Sequence, residues 1–459
     1  MEKGLNQKLN LGFFGGVGSV TGANFLLENS HTKILVDCGL IQGYFKGTDP
    51  NYENFAYNPS EINFLIVTHA HADHIGRIGK LVKDGFAGKI ISTPATKDLA
   101  ELMLEDALNL MFQRKEDKNI EMMYEEKDIN WAFNNWETID YHESRKIGEF
   151  EIYLKDAGHI LGSAIVEVKD LVSGTKIVFS GDLGNSPTPL LRDTESISDA
   201  DYLVIESVYG DRVHEEREQR KHKLQEIIKK VVGRGGTLIV PVFSLEKTQV
   251  FLKELNDLIE DRKVPSVPVF FDSPLGIRLT EVYGKYTHLF NEKVQAEIKA
   301  GDDIFDFPKL KATLRRQESD GIIKTTGAKI IIASSGMSEG GRITAHEKRY
   351  LPDPKNAILF IGYQVAGSLG RRIQEGIKSL TIEQTDIRVR ADVLTVSGYS
   401  SHKDSNGLLD FVEGSRDTLK KVFVVMGETK SSLYLTQKIR DFADVKAEVP
   451  DLNEIVDLK

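Results

Sequence analysis

The first two hundred residues alternate short apolar, β-branched runs with glycine-marked turns. The period predicts strands over 11–14, 24–28, 33–37 and 63–68, with turns at Gly15-Gly16, Gly18, Gly22 and Gly39. Helices are expected over 75–83 and 95–114, and further strands over 150–154, 163–168, 176–180 and 202–205. From about Tyr209 the rhythm changes. Amphipathic stretches at 215–232, 246–259 and 277–290 are interleaved with apolar runs at 237–240, 269–271, 329–333, 357–361 and 387–396. That order implies a mostly parallel sheet with crossover helices, in a domain of its own. The acidic stretch 116–128 reads as exposed helix or loop.

At 459 residues the chain exceeds what one core usually covers, which agrees with two domains. No apolar run reaches the roughly 18 residues of a membrane helix, and Met1–Gln7 lacks the apolar core of a signal peptide. A single cysteine, Cys38, excludes an internal disulfide framework and points to a reducing, cytoplasmic location. The net charge of -10 disfavours a polyanionic partner at first sight. Its distribution does not, because the middle third carries more Lys and Arg than Asp and Glu while both flanks are acidic. Local field governs attraction to phosphate, so nucleic acid stays open as a partner. A homodimer is also compatible with the composition.

The chemistry concentrates in Thr68-His69-Ala70-His71-Ala72-Asp73-His74, directly after an apolar strand. Three imidazoles and a carboxylate in one turn gain nothing from packing and would repel one another when protonated. Together they suit zinc or a similar divalent ion. Asp156-Ala157-Gly158-His159, Phe179-Ser180-Gly181-Asp182 and Glu206 each follow a strand, where an α/β layered protein exposes its ligands. Asp182 has two oxygens and can bridge two ions.

The His-rich loop, Ala157-Gly158-His159 and Ser180-Gly181-Asp182 resemble the ligand motifs of the metallo-β-lactamase superfamily. Gly18-Ser19-Val20-Thr21-Gly22, Asp37-Cys38-Gly39, Glu206-Ser207-Val208-Tyr209-Gly210-Asp211-Arg212, Asp272-Ser273-Pro274-Leu275, Ser335-Gly336-Met337, Gly340-Gly341-Arg342, Gly362-Tyr363-Gln364 and Ser401-His402-Lys403-Asp404 narrow the likeness. Together they resemble the β-CASP ribonucleases, the relatives of the nuclease subunit of the pre-mRNA 3′-end cleavage factor. The resemblance implies an α/β fold: an αββα sandwich from residues 1–208 and 389–459, with a β-CASP domain of mostly parallel sheet inserted at 209–388. It implies two zinc ions, one on His69, His71 and His159, the other on Asp73 and His74, bridged by Asp182. Glu206 and His402 match the pair that works beside the scissile phosphate, where a carboxylate-oriented imidazole can protonate the departing oxygen. The implied activity is metal-dependent hydrolysis of single-stranded RNA between the two domains, endonucleolytic or from the 5′ end. In the insert, Ser273, Ser335, Gly336, Gly367, Ser368, Arg371 and Arg372 suit contact with the phosphate backbone, although a helix-capping turn explains 367–370 equally well.

One departure stands out. Where the family places its last zinc ligand, a histidine before Gly-Glu, this chain has Met426-Gly427-Glu428. A thioether is a poor ligand for Zn²⁺ beside imidazole and carboxylate, so a weakened second site is expected. Met426 also admits a catalytically weak or silent RNA-binding scaffold, which the six intact ligands oppose. A small-molecule hydrolase of the same superfamily is opposed by the long insert. A lesser departure is Lys247, which keeps charge but lacks the fork of the arginine usual there.

Overall fold

Strands that are apolar at every position lie where both faces are covered. The computed structural model, which describes residues 8–43, 48–118, 121–214, 217–362, 364–365 and 367–458, shows this clearly. In the first part of the chain, β1 (Asn10–Gly15), β2 (Asn24–Glu28), β3 (Lys33–Val36), β4 (Phe64–Ile66), β5 (Lys89–Ser92) and β6 (Trp136–Thr138) pair in sequence order. The chain then enters a second sheet through β7 (Ser144–Ile147), β8 (Phe150–Asp156), β9 (Ala164–Asp170), β10 (Lys176–Phe179) and β11 (Tyr202–Glu206). Every residue of β11 is buried, as its Tyr-Leu-Val-Ile-Glu sequence demands.

Another unit intervenes. Its sheet holds β12 (Thr237–Pro241), β13 (Val269–Asp272), β14 (Leu310–Ala312), β15 (Lys329–Ala333) and β16 (Ala357–Phe360); β17 (Ser379–Ile382) and β18 (Thr385–Arg388) form a separate hairpin. β19 (Asp392–Thr395) completes the sheet in the order β14-β13-β15-β12-β16-β19, all parallel. The chain then returns with β20 (Lys421–Val425) and β21 (Ala447–Glu448) on the second sheet and β22 (Ile455–Asp457) on the first.

Two units result, one of residues 1–213 with 402–459, the other of 214–401. The single apolar region read at 387–396 is two strands. Ile387 lies in the hairpin, while β19 pairs with β16 and holds its residues in the second unit. By compactness the second unit spans 214–401, where the family resemblance implies an insert of 209–388.

In the first unit the two seven-stranded sheets face each other across one core. Leu11, Phe13, Phe25 and Val36 of one sheet meet Phe150, Val166, Phe179, Val204 and Phe423 of the other. The outer face of the second sheet, with Val178, Leu203, Ile205 and Val424, is covered by the helices Ser405–Glu413 and Thr429–Lys438 through Leu408, Phe411 and Leu435. Each buried side chain of this size contributes on the order of 2 kcal/mol, so the sandwich is a stiff platform for its loops. The helix expected over 75–83 is broken in two, Ala72–Ile75 and Ile78–Lys83, and the first begins inside the His-rich loop. In the acidic stretch 116–128, residues 119 and 120 lie outside those described, while Met122, Met123, Tyr124 and Asp128 are buried rather than exposed, with Tyr124 packed on Gly79. Among the described residues no helix is long and apolar enough to cross a membrane.

Candidate active site

All the ligand candidates lie at loop ends of the sandwich. His69, His71, Asp73 and His74 follow β4, His159 lies between β8 and β9, Asp182 follows β10, and Glu206 ends β11. His69 Nε2 and His159 Nε2 lie 3.1 and 3.2 Å from His71 Nδ1. Nitrogens held tetrahedrally at the usual zinc–imidazole distance are about 3.3 Å apart, so the three rings are spaced as a zinc site needs them. Asp182 Oδ2 adds the fourth donor, 3.4 Å from His69 Nε2 and 3.5 Å from His159 Nε2.

The other oxygen of Asp182 faces elsewhere. Oδ1 is 3.4 Å from His74 Nε2, and both atoms are buried without a hydrogen-bond partner. Asp73 Oδ2 lies 3.8 Å from the same nitrogen. Two orphaned acceptors facing each other in a buried site are costly unless a cation lies between them. His69, His71, His159 and Asp182 therefore form one group able to hold an ion, and Asp73, His74 and Asp182 a second, with Asp182 common to both. The residues present fit a pair of divalent ions.

Asp37 sets up the second group. It has a left-handed backbone, φ 61°, at the end of β3. Its carboxylate accepts the N–H and hydroxyl of Thr68, both at 2.8 Å, and lies 2.7 Å from His74 Nδ1. That contact leaves the lone pair on His74 Nε2, facing the ion position, as supporting carboxylates do for metal-binding imidazoles. Neither Asp37 nor Thr68 was singled out from the sequence as a site residue. Both lie in segments that carry the family resemblance, but their role follows from position, because β3 and β4 are parallel neighbours and their ends must adjoin. Cys38, next along, is fully buried, and burial pushes its thiol up to about 12, so it is inert packing.

Burial dominates the electrostatics. It drives His71 and His159 well below the ordinary imidazole range, which keeps them neutral and able to ligate. At His74 burial opposes positive charge, but Asp182 and Asp37 favour it, a charge that either a proton on Nε2 or an ion in its place would supply. Burial raises the Glu206 carboxyl, against the pull of His402. His402 Nδ1 lies 3.2 and 3.3 Å from the Glu206 oxygens, and its ring centroid is 4.5 Å from that of His159. The Leu183 N–H fixes Glu206 at 2.7 Å, while the Lys403 N–H bonds to Leu183 O at 2.8 Å and Gly184 bridges to His402. The pair is held from both sides.

Met426 occupies the end of β20, with φ 48° and its N–H donated to Gly16 O at 2.6 Å. A Cβ added to Gly16 would come within 2.5 Å of the Met426 sulfur, so the thioether packs on that glycine. A cavity of about 10 Å³, the size of one water, separates Met426 from His74 and is also lined by Asp37, Thr68 and Glu206.

In the second unit the expected backbone-contact residues lie at the carboxyl ends of the parallel strands or in the turn opening a following helix. Ser273 caps the helix Pro274–Lys285; its hydroxyl accepts the Gly276 N–H, donates to Ser334 at 2.9 Å, and is fully buried. Ser-Pro at a helix start is itself a capping signature. Ser335 accepts the Glu339 N–H at 3.0 Å, and Gly336 packs so closely on Phe243 that a Cβ would fall 2.6 Å from its ring. Gly367, φ 90°, forms the turn before Ser368, which caps the helix Leu369–Gln374. Arg371 pairs with Glu375 at 2.7 Å, and Arg372 is exposed. Lys247 opens a helix with its ammonium 4.6 Å above Phe243, and burial brings it down to about 8. Tyr363 lies outside the described residues.

Asp272 is the hub of this edge. Its fully buried carboxylate meets Arg342 at 2.6 Å, His346 at 2.7 Å, and Thr313 and Ser319 at 2.6 Å. Burial works against the charge, but these partners bring the carboxyl down to about 2. Its contribution to stability is complete above the unfolded value near 3.9 and is lost as pH falls through about 2. Replacing Asp272 by Ala should cost about 3–5 kcal/mol in denaturant unfolding at pH 7, because Arg342 and His346 lose their buried partner.

Comparison with known proteins agrees with this geometry. The metallo-beta-lactamase superfamily model matches residues 18–234, the Beta-Casp domain model 248–373, and that of a Zn-dependent metallo-hydrolase RNA specificity domain 386–450. A protein named Ribonuclease TTHA0252 from Thermus thermophilus is 33% identical over 92% of this chain and 94% of its own. The chain belongs to the β-CASP family of the metallo-β-lactamase superfamily. An RNase J-like protein of Methanocaldococcus jannaschii is 32% identical over 96% of this chain and 99% of its own. The transcription termination factor FttA of the same organism is 28% identical over 96% of this chain and 70% of its own. The crystal structure of a protein of unknown function from Enterococcus faecalis V583 superposes with a TM-score of 0.58, covering 98% of this chain and 100% of that one; at 13% identity it shows the fold alone. Membership makes this β-CASP protein a metal-dependent hydrolase with divalent-ion sites.

Proposed function

We propose that this β-CASP protein is a zinc-dependent ribonuclease that hydrolyses phosphodiester bonds of single-stranded RNA in the cytoplasm. The observation that carries the reading is the shared carboxylate: Asp182 turns one oxygen to each of two ligand groups, beside a Glu206–His402 pair. When bound, paired zinc ions supply Lewis acidity toward a phosphoryl oxygen and hydroxide at neutral pH. His69, His71 and His159 would hold one ion and Asp73 with His74 the other. The chain itself does the positioning and the proton handling. Asp37 orients His74, while Glu206 stabilises the protonated His402 ring, which gives its proton to the departing ribose oxygen. The names of the relatives, two of them ribonucleases by description, support RNA as the substrate.

Elemental analysis combined with cleavage of a labelled single-stranded RNA tests the reading. Two zincs per chain and cleavage that chelation abolishes are expected; cleavage that survives full removal of metal would overturn it. Met426 favours a second reading, a silent RNA-binding scaffold, which binding without cleavage in saturating zinc would establish.

Salt gives an independent check. RNA affinity should fall as salt rises, and Arg372→Ala should flatten the log–log slope by about 0.7 if its guanidinium pairs with a single-strand phosphate. Arg371→Ala should change the slope less, because Glu375 already neutralises that side chain. A salt-independent affinity would remove the electrostatic component.

A further inference from the structure

The turn after Glu206 carries an aromatic side chain that the chemistry described so far does not use. Tyr209 is half-buried, and its ring centroid is 6.0 Å from that of His402, at an interplanar angle of 38°. The Arg212 guanidinium lies 5.4 Å from the Tyr209 centroid, on a side chain that is 52% exposed.

The turn is rigid. The Gly210 N–H bonds to Ser207 O at 3.1 Å and the Ser405 N–H to Arg212 O at 3.0 Å. Ser431 Oγ donates to Ser207 O at 2.6 Å, and a Cβ at Gly210 would meet Ser431 O at 2.8 Å. The backbone that carries Tyr209 and Arg212 is therefore fixed before any ligand arrives.

The charges say what kind of ligand suits it. Asp211 lies 3.0 Å from Arg212 Nε and 3.3 Å from Lys430 Nζ, and Glu428 also acts on Arg212, so two carboxylates face the two cations and the guanidinium charge is largely answered. The guanidinium lies over the Tyr209 ring, so the two groups present one joint surface, and what Arg212 retains is the side turned away from that ring. Nucleobases of unpaired RNA stack on aromatic rings and on guanidinium planes, whereas phosphates seek uncompensated charge.

We propose that Tyr209 and Arg212 form a stacking platform for a nucleobase flanking the scissile phosphate, holding the substrate strand in register with His402. This rests on the ribonuclease reading above. It makes Tyr209 a substrate-binding and positioning residue, and the expected contact is tolerant of base identity because every base has a π-face.

The test is a cycle between protein and substrate. Wild type, Tyr209→Leu and Tyr209→Phe are assayed on a single-stranded RNA and on a series in which one abasic site is walked through the nucleotides flanking the cleaved bond. At one position the abasic site should cost wild type about tenfold or more in kcat/KM. At that position it should cost Tyr209→Leu nothing further, while Tyr209→Phe should behave as wild type. Losses that simply multiply at every position would overturn the platform and leave Tyr209 as support for the His402 ring. Arg212→Gln supplies a second arm: an unchanged salt slope agrees with stacking, and a slope flattened by about 0.7 would place a phosphate on the guanidinium instead and overturn the proposal. Because the abasic series is read first on wild type, a variant that fails to fold does not rescue the idea: no sensitive position means no platform. If wild type cleaves none of the RNAs, the ribonuclease reading itself fails.

Discussion

Asp73→Ala, and separately His71→Ala, should lower RNA cleavage by about a hundredfold or more while leaving the melting temperature within about 4 °C of wild type. The two effects separate because each side chain faces the proposed ions rather than the core. Burial already disfavours the Asp73 carboxylate, so its removal relieves a desolvation cost. What holds the loop is main chain: Asp73 O accepts the Ala23 N–H at 2.9 Å, and His71 O accepts the N–H groups of His74 and Ile75. Alanine keeps all of these. Asp37→Ala makes the opposite case, since it strips Thr68 and His74 of a buried partner and should destabilise the fold by about 3–5 kcal/mol. Cleavage of a labelled RNA and thermal unfolding on the same preparations decide the matter. Activity near wild type in Asp73→Ala or His71→Ala would end the dinuclear assignment.

The contrast between Asp73 and Asp37 also separates what local sequence pattern carries from what strand pairing adds. His69, His71, Asp73 and His74 announce themselves because a single turn with that content has no packing rationale, and His159 and Asp182 stand out by ending strands. The structure gathers all of them with Glu206 and His402. Asp37 stands in one of the family-like segments, but nothing in that segment marks its role: one acid after an apolar strand is ordinary until the neighbouring strand is known. Ser273 shows an ambiguity of another kind. Its small hydroxyl suited a phosphate contact, yet Ser-Pro ahead of an amphipathic run is also a helix cap, and the structure spends the hydroxyl there. The apolar region 387–396 was divided by pairing, which depends on the tertiary partners of β18 and β19 rather than on their composition. Local pattern carries composition-driven features well. Those set by which strands adjoin are invisible in it.

Met426→His should convert a loosely held second zinc into a tightly held one. The backbone supports this, because Met426 sits in the left-handed region at φ 48°, which histidine adopts more readily than most side chains. The position also borders the site: Met426 shares the lining of one small cavity with His74 and Glu206. Among the described residues of the unmodified protein, the second group offers Asp73, His74 and Asp182. Its zinc should leave first on dialysis, while the ion on His69, His71 and His159 stays. In Met426→His both should be retained. The activity gain has a defined sign and range: it appears when zinc is limiting and vanishes when zinc saturates, since an added ligand matters only where the site is partly empty. Zinc per chain, measured before and after dialysis, decides the case without relying on activity. Two zincs retained equally by the unmodified protein would show that its second site is already complete, and that the exchange of histidine for Met426 costs no affinity.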